Sequence, residues 1–350
     1  MMHRFQNIRQ LISYFFGAFF TFKKKVLLFS VPSHPNLGDQ AQLMCTERWI
    51  KENFSNYKLF KFPHLCTPFA NDKKVFNYLF LIYVILKLTV RKNDIFIGHS
   101  GYFFVDHHGG WFSFDFLLRH FNNQFIVLPQ TINFYAPVVK QRVAASFGNK
   151  KNLTILCRDN VSYENAKKLF GTTKLLLYPD IVTSLIGMQT YKSQKDGVLF
   201  CIRDDIEAFY STKDIDNLMQ RFGDVRKEKI DTTLEISAQL MKENRDELIY
   251  KTIEKIATYK VVITDRYHGT IFSAIANTPV IVISSADHKL SSGVKWFPKE
   301  IFGTNVQYAE TLDDAYIKAI AILNSGEKLQ INPPYFKENY WDKLAEQIGL

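Results

Sequence analysis

The stretch VVITDRYHGTIFSAIANTPVIVIS, residues 261–284, decides how the chain is read. Four β-branched residues, Val261 to Thr264, stop at Asp265-Arg266-Tyr267-His268-Gly269. A helix-patterned stretch runs from Thr270 to Ala276, Asn277-Thr278-Pro279 turns the chain, and Val280 opens a second apolar run. The order strand, loop, helix, strand is a βαβ unit. Open α/β sheets bind ligands at the carboxyl ends of their strands, where this unit places a carboxylate, a guanidinium and an imidazole. Arg266 offers a planar fork for carboxylate or phosphate, and His268 can move a proton near neutral pH. An anionic substrate handled by acid–base chemistry is one reading. A polar loop that caps a helix is the other.

Outward from this unit the alternation continues. Apolar runs at Val26–Val31, Lys58–Phe62, Asp94–Gly98, Phe125–Pro129, Leu153–Cys157 and Leu175–Tyr178 are separated by helix-like segments such as Asp39–Glu52, Trp111–Phe121 and Val161–Phe170. Residues 189–196 (QTYKSQKD) break the pattern like a linker. A second series holds Val198–Ile202, a long amphipathic helix over about 234–259, Val261–Thr264, Val280–Ser284, a strand near Tyr308 and a helix near 312–323. Strands alternating with helices predict an α/β protein with mostly parallel sheets. The pattern makes two Rossmann-like halves with a cleft between them, and a helix over 335–348 that folds back over the first half.

Composition narrows the function classes. Of 350 residues 47% are apolar and 22% charged, which supports full cores and excludes a disordered chain. The 31 Phe and 17 Tyr predict aromatic-rich cores. A net charge of +10 suits an anionic small substrate, an anionic membrane surface or nucleic acid. No basic block or zinc-finger pattern supports the last. The scattered Cys45, Cys66, Cys157 and Cys201 show no C-x-x-C, which suits a reducing cytoplasm and argues against a disulfide framework or structural zinc.

Two apolar stretches, 11–22 (LISYFFGAFFTF) and 76–90 (FNYLFLIYVILKLTV), are too short to span a bilayer, which takes roughly 20 residues. The second is expected to be a buried helix. The first, between Arg4, Arg9 and Lys23 to Lys25, is read equally as a buried helix or as a monotopic contact with the cytoplasmic leaflet.

Other motifs sit at predicted strand ends. Asn36-Leu37-Gly38-Asp39 opens a helix, where Asp39 either caps or binds sugar hydroxyls. Gly98-His99-Ser100-Gly101 lacks the G-x-G-x-x-G spacing, so no dinucleotide or ATP fingerprint is present. Asp106-His107-His108 with His99 does not make a metal-ligand pattern, and no metal is expected. Arg158-Asp159-Asn160 and Arg203-Asp204-Asp205 each follow a strand, with Asn160 a candidate cap, and Asp180 follows Tyr178-Pro179. Asp214-Ile215-Asp216 has the D-x-D spacing but opens a helix, so capping accounts for it.

Asn36-Leu37-Gly38-Asp39-Gln40, the Gly98–Gly101 loop, Arg158-Asp159-x-x-Ser162, Tyr178-Pro179-Asp180 and Asp265-Arg266-Tyr267-His268-Gly269 stand in an order that resembles the polysaccharide pyruvyl transferase family. Ser284 to Trp296 resembles its later Lys-containing loop. The likeness covers about 26–322. G-H-S-G replaces the usual consecutive glycines, and Asp159 the more usual Glu. The resemblance implies two Rossmann-like, GT-B-like domains with the active-site cleft between them. It implies transfer of pyruvate from phosphoenolpyruvate onto sugar hydroxyls of a cell-surface glycan or lipid-linked precursor, as a ketal, without a cofactor. On this reading 26–188 is the acceptor domain and 197–330 the donor domain. Arg158, Arg203, Arg266, His268, Gly269 and Lys289 would bind the donor, with Arg266 and His268 catalytic, His268 as general acid or phosphate contact. Asp39, His99, Asp106 and Asp180 would face the acceptor. The alternative is a GT-B glycosyltransferase using a nucleotide sugar, for which Glu310 is the available ribose ligand.

Overall fold

The computed structural model describes residues 2–62, 73–106, 110–205, 208–284, 289–326 and 331–350. Its contacts divide the chain into two units, Met1–Ser33 with Gln42–Asp180 and His34–Ala41 with Ile181–Leu350.

The first unit opens with helix α1 (Met2–Phe19) and strand β1 (Lys24–Phe29), then α2 (Leu37–Asn53), β2 (Tyr57–Lys61), α3 (Lys73–Thr89), β3 (Ile95–Gly98) and β4 (Gly101–Val105). It continues through α4 (Gly110–His120), β5 (Gln124–Asn133), α5 (Pro137–Phe147), β6 (Leu153–Cys157), α6 (Asn160–Phe170) and β7 (Lys174–Leu177). Its sheet is parallel in the order β2-β1-β3-β5-β6-β7, with β4 also on β5. The sequence shows β4 only as a glycine loop. In the structure β3 pairs with the first half of β5 and β4 with the second, so the loop is a bend between two short strands.

Aromatic side chains fill this core. Phe29 stacks on Phe62 and Phe96, and Phe96 on Phe125, with centroids 4.6–5.8 Å apart. The buried Lys25 of β1 is neutralised by Asp94, Nζ to Oδ2 2.9 Å, and Asp94 also accepts the Lys25 amide at 2.7 Å. Cys157 and Cys201 are buried inside strands as small hydrophobes, and burial raises both thiols.

In the second unit β8 (Val198–Cys201), α7 (Thr212–Gln220), β9 (Lys227–Ile230), α8 (Ala238–Ala257), β10 (Val261–Thr264), α9 (Tyr267–Ile275) and β11 (Val280–Ile283) follow one another. Helices α10 (Lys289–Val294) and α11 (Lys299–Phe302), strand β12 (Val306–Ala309), α12 (Leu312–Asn324) and the short α13 (Leu344–Gln347) complete it. The sheet is parallel, β12-β11-β10-β8-β9. The three inner strands β8, β10 and β11, buried on both faces, read as apolar runs. The edge strand β9 is Lys-Glu-Lys-Ile and half-buried, which is why its charges hide it in the sequence.

Three expectations about organisation differ from the structure. The division falls at Asp180/Ile181, and the expected linker belongs to the second unit: Lys195 Nζ donates to Ala257 O (2.8 Å) and Thr278 Oγ1 (2.7 Å). The C-terminal tail counts with the second unit. A π-helical turn at Lys337–Trp341 precedes α13, and Trp341 Nε1 donates to Thr183 Oγ1 at 3.3 Å within the second unit. Residues 34–41 also count with the second unit, for a reason the site explains.

Candidate functional site

In the second sheet β8 leads to β9 on one side, while β10 lies on the other. The adjacent carboxyl ends of β8 and β10 are therefore a topological switch point, where open α/β sheets take ligands. Arg203 follows β8, Asp231 follows β9, and Asp265 and Arg266 follow β10. Asp265 Oδ1 accepts the Arg203 amide at 2.9 Å, tying the two central strand ends together. Burial drives the Asp265 carboxyl up to about 6, against the pull of the Arg203 amide and of the Arg203 and Arg266 charges.

Arg266 is 7% exposed and bonds two carboxylates, Asp231 Oδ2 at 2.5 Å and Asp205 Oδ2 at 3.0 Å. Burial opposes its charge, but Asp231 and Asp205 more than offset that and raise its pKa. The sequence singles out the arginine but gives no sign of Asp231, which lies 35 residues away. Arg203 is largely buried, its Nη1 3.7 Å from Asp205 Oδ1. With Lys229, Tyr210 and Ser211 it lines a cavity of about 680 Å³ at the end of β8.

His268 stands in the first turn of α9, half-buried. Two glycines set its place. A Cβ at Gly269 would meet Thr264 Oγ1 at 2.3 Å, so glycine lets α9 start directly on β10. A Cβ at Gly38 would meet His268 Nδ1 at 2.0 Å. The Asn36–Asp39 turn, expected on the acceptor domain, is thus part of the same unit as the donor-side histidine. Backbone bonds fix it there: Leu37 N donates to Thr232 O (2.8 Å) and Leu234 N to Pro35 O (2.9 Å). Asn36, not Asp39, caps α2, its Oδ1 accepting the amides of Gly38 (2.9 Å) and Asp39 (3.2 Å). Asp39 is one-third exposed and 2.6 Å from His34 Nε2; this hydrogen bond, stronger than the opposing burial, raises the His34 pKa.

Of the remaining expected residues, His99, Asp106, Arg158, Asp159 and Asp180 fall in the first unit. Arg158 and Asp180, expected on opposite substrates, form one buried cluster. Nη1 of Arg158 is 3.6 Å from Asp180 Oδ2, Nη2 donates to Thr131 Oγ1 (2.5 Å), and Gln42 Nε2 donates to Asp180 (2.5 Å). Asp180 is fully buried, which suits holding Arg158 and Gln42 better than binding a sugar itself. His99 is also buried, its carbonyl accepting Gln130 Nε2 at 2.5 Å. Asp106 accepts the amides of Tyr135 (2.6 Å) and Ala136 (3.2 Å), which fixes that loop. Asp159, not Asn160, caps α6 through the Ser162 amide at 2.8 Å. Ser211 and Asp214 form a capping box at α7, as the sequence predicts for that D-x-D. Glu310 is exposed after β12. Lys289 starts α10, and its side chain, like His107 and His108, lies outside the described residues. Among the described residues no group of His, Cys, Asp and Glu has a metal-binding arrangement.

The polysaccharide pyruvyl transferase family profile matches residues 36–288. The chain is similar to General stress protein 30 of Bacillus subtilis (strain 168), with 27% identity over 274 residues, 75% of each chain. It is similar to Pyruvyl transferase 1 of Schizosaccharomyces pombe, with 21% identity over 341 residues, 88% of this chain and 78% of that one. Among solved structures the lipopolysaccharide outer core galactosyltransferase WaaB superposes with a TM-score of 0.51 at 13% identity, covering 93% of this chain and 97% of that one. That likeness shows the fold: parallel α/β units of the kind found in GT-B enzymes.

Proposed function

The chain belongs to the polysaccharide pyruvyl transferase family, and from that premise we propose that it moves pyruvate from phosphoenolpyruvate onto a pair of sugar hydroxyls as a ketal. The observation that carries this reading is the set Arg203, Arg266 and His268 at the ends of β8 and β10. Phosphoenolpyruvate presents a carboxylate and a phosphate, the two groups that a guanidinium binds bidentately. Asp205 is 41% exposed and farther from Arg266 than Asp231 is. In this proposal the donor displaces Asp205, while Asp231 continues to orient the arginine.

The chemistry balances with the groups at hand. One sugar hydroxyl adds to C2 of phosphoenolpyruvate as C3 takes a proton and becomes the methyl group. The C2–O bond to phosphate then breaks, and the second hydroxyl bonds to C2. Of the two hydroxyl protons, one is accounted for by the methyl group and the other leaves with phosphate. His268 is the proton carrier in this scheme and the arginines offset the phosphate charge, so the step draws on no metal or cofactor. The acceptor is a sugar of a surface polysaccharide or of its lipid-linked precursor.

The test is phosphate release from phosphoenolpyruvate against a panel of hexoses and N-acetylhexosamines, with mass spectrometry for the pyruvyl ketal. Arg266→Ala and His268→Asn should each abolish release. Stabilisation by a nucleotide sugar, with no phosphate released on any acceptor, would overturn the proposal in favour of glycosyl transfer.

A further inference from the structure

Helix α1 is apolar on two faces, and the first unit uses only one of them. Leu11, Tyr14 and Ala18 are buried against the core, Tyr14 packing on Phe60 and Phe62 and bonding Thr89 Oγ1 at 2.8 Å. The other face carries Ile12, Phe16, Phe19 and Phe20 at helical spacing, 52–73% exposed, and Phe22 just beyond the helix is 97% exposed. Helix α3, which packs on α1, also exposes apolar side chains: Leu81 and Leu88, one heptad apart, and Phe80. Arg91 joins the two helix ends, donating to the carbonyls of Thr21 (2.9 Å) and Phe22 (3.4 Å). Isolated exposed apolar residues are ordinary; eight on and just beyond two helices packed together, five of them aromatic, are not.

Charge identifies what covers it. Residues 1–38 contain five Lys or Arg and no Asp or Glu, and residues 73–93 contain five more; of the first five, Lys25 is buried and paired with Asp94. Lys23, Lys24 and Lys92 are exposed beside the aromatic face. A second protein would ordinarily be met with charges of both signs. Aromatic side chains rimmed by one sign of charge match a bilayer interface bearing anionic headgroups, where the rings enter the acyl boundary and the ammonium groups stay at the phosphates. No described helix is long and apolar enough to cross a membrane.

We propose that α1 and the C-terminal half of α3 form a docking face that holds the protein on an anionic lipid surface. This rests on the exposed face alone and is independent of the transfer reaction.

The full-length protein is floated with vesicles of phosphatidylcholine alone and with vesicles containing 30% phosphatidylglycerol. Binding is expected to be at least about tenfold stronger to the anionic vesicles and to weaken in high salt, as screening requires. The Phe19→Ser/Phe20→Ser/Phe22→Ser variant should lose that binding while keeping its melting temperature, since all three side chains face solvent. Lys23→Glu/Lys24→Glu should lose the preference for anionic lipid. Equal binding to both vesicles, retention by the triple serine variant, or a stable dimer that the triple variant converts to monomer would each overturn the proposal.

Discussion

The backbone of Gly38 and the imidazole of His268 are in direct contact: a Cβ at position 38 would stand 2.0 Å from Nδ1 and 2.4 Å from Cγ. The first turns of α2 and α9, 230 residues apart in sequence, therefore meet at a point that admits only a hydrogen.

From this contact Gly38→Ala is expected to displace the imidazole. Alanine favours helix by about 1 kcal/mol over glycine, so overall stability should change little. Turnover should fall at least about tenfold, as for a catalytic group moved by an ångström. Side-by-side melting curves and phosphate-release rates check this. A variant with unchanged turnover would show that the histidine is not held by this turn.

Arg266 has the opposite character, a buried charge fixed by two carboxylates. Arg266→Ala leaves Asp231 without its cation and Asp205 with only the more distant Arg203, at a cost of about 3 kcal/mol. Asp205→Asn should keep most of the stability, because Asp231 still pairs the arginine, and should alter the KM for phosphoenolpyruvate more than kcat. Denaturant midpoints and steady-state kinetics separate the two. An Asp231→Asn variant as stable as the parent would show that this pair adds nothing to the fold.

How much of this was legible follows from which link each residue depends on. Val261–Thr264 and Leu153–Cys157 are strands with both faces buried, so an unbroken apolar run marks them to the residue. Strand β9 sits at a sheet edge and keeps its charges, so no such run exists. Arg266 and His268 were visible because they follow an apolar strand. Their partners Asp231 and Gly38 come from other strands and turns, and neighbourhood created by sheet order leaves no local pattern. Of the two caps that differ, Asp159 stands one residue before Asn160, within the usual drift of a helix start, whereas Asn36 stands three residues before Asp39.

The Asp265 carboxyl gives the molecule a defined pH response. Its pKa rises from 3.8 in the unfolded chain to about 6 in the folded one, chiefly by burial. The folded state therefore binds the proton more tightly, and stability is lost as pH climbs from about 4 to about 6. At 1.36 kcal/mol per pKa unit the full effect is about 3 kcal/mol. Asp265→Asn retains an oxygen for the Arg203 amide and removes the titration. Relative to the parent, it should gain up to this amount at pH 7 and nothing at pH 4. Denaturant midpoints at both pH values measure it, and an identical difference at the two would show that burial does not perturb this group.

Asn36 makes three hydrogen bonds within the second unit, two accepted from Gly38 and Asp39 and one donated by Nδ2 to Thr233 Oγ1 at 3.1 Å. Asn36→Ala removes all three and should cost about 1–2 kcal/mol. Asn36→Asp keeps the two accepted bonds and places a negative charge at a helix N-terminus, which favours it, so it should lose less than half as much. Because the same turn seats Gly38 under His268, turnover should follow stability across the pair, alanine below aspartate. Urea midpoints and phosphate-release rates on the three proteins decide it. If alanine and aspartate were equally destabilised, the bond to Thr233 rather than the cap would be what fixes this turn.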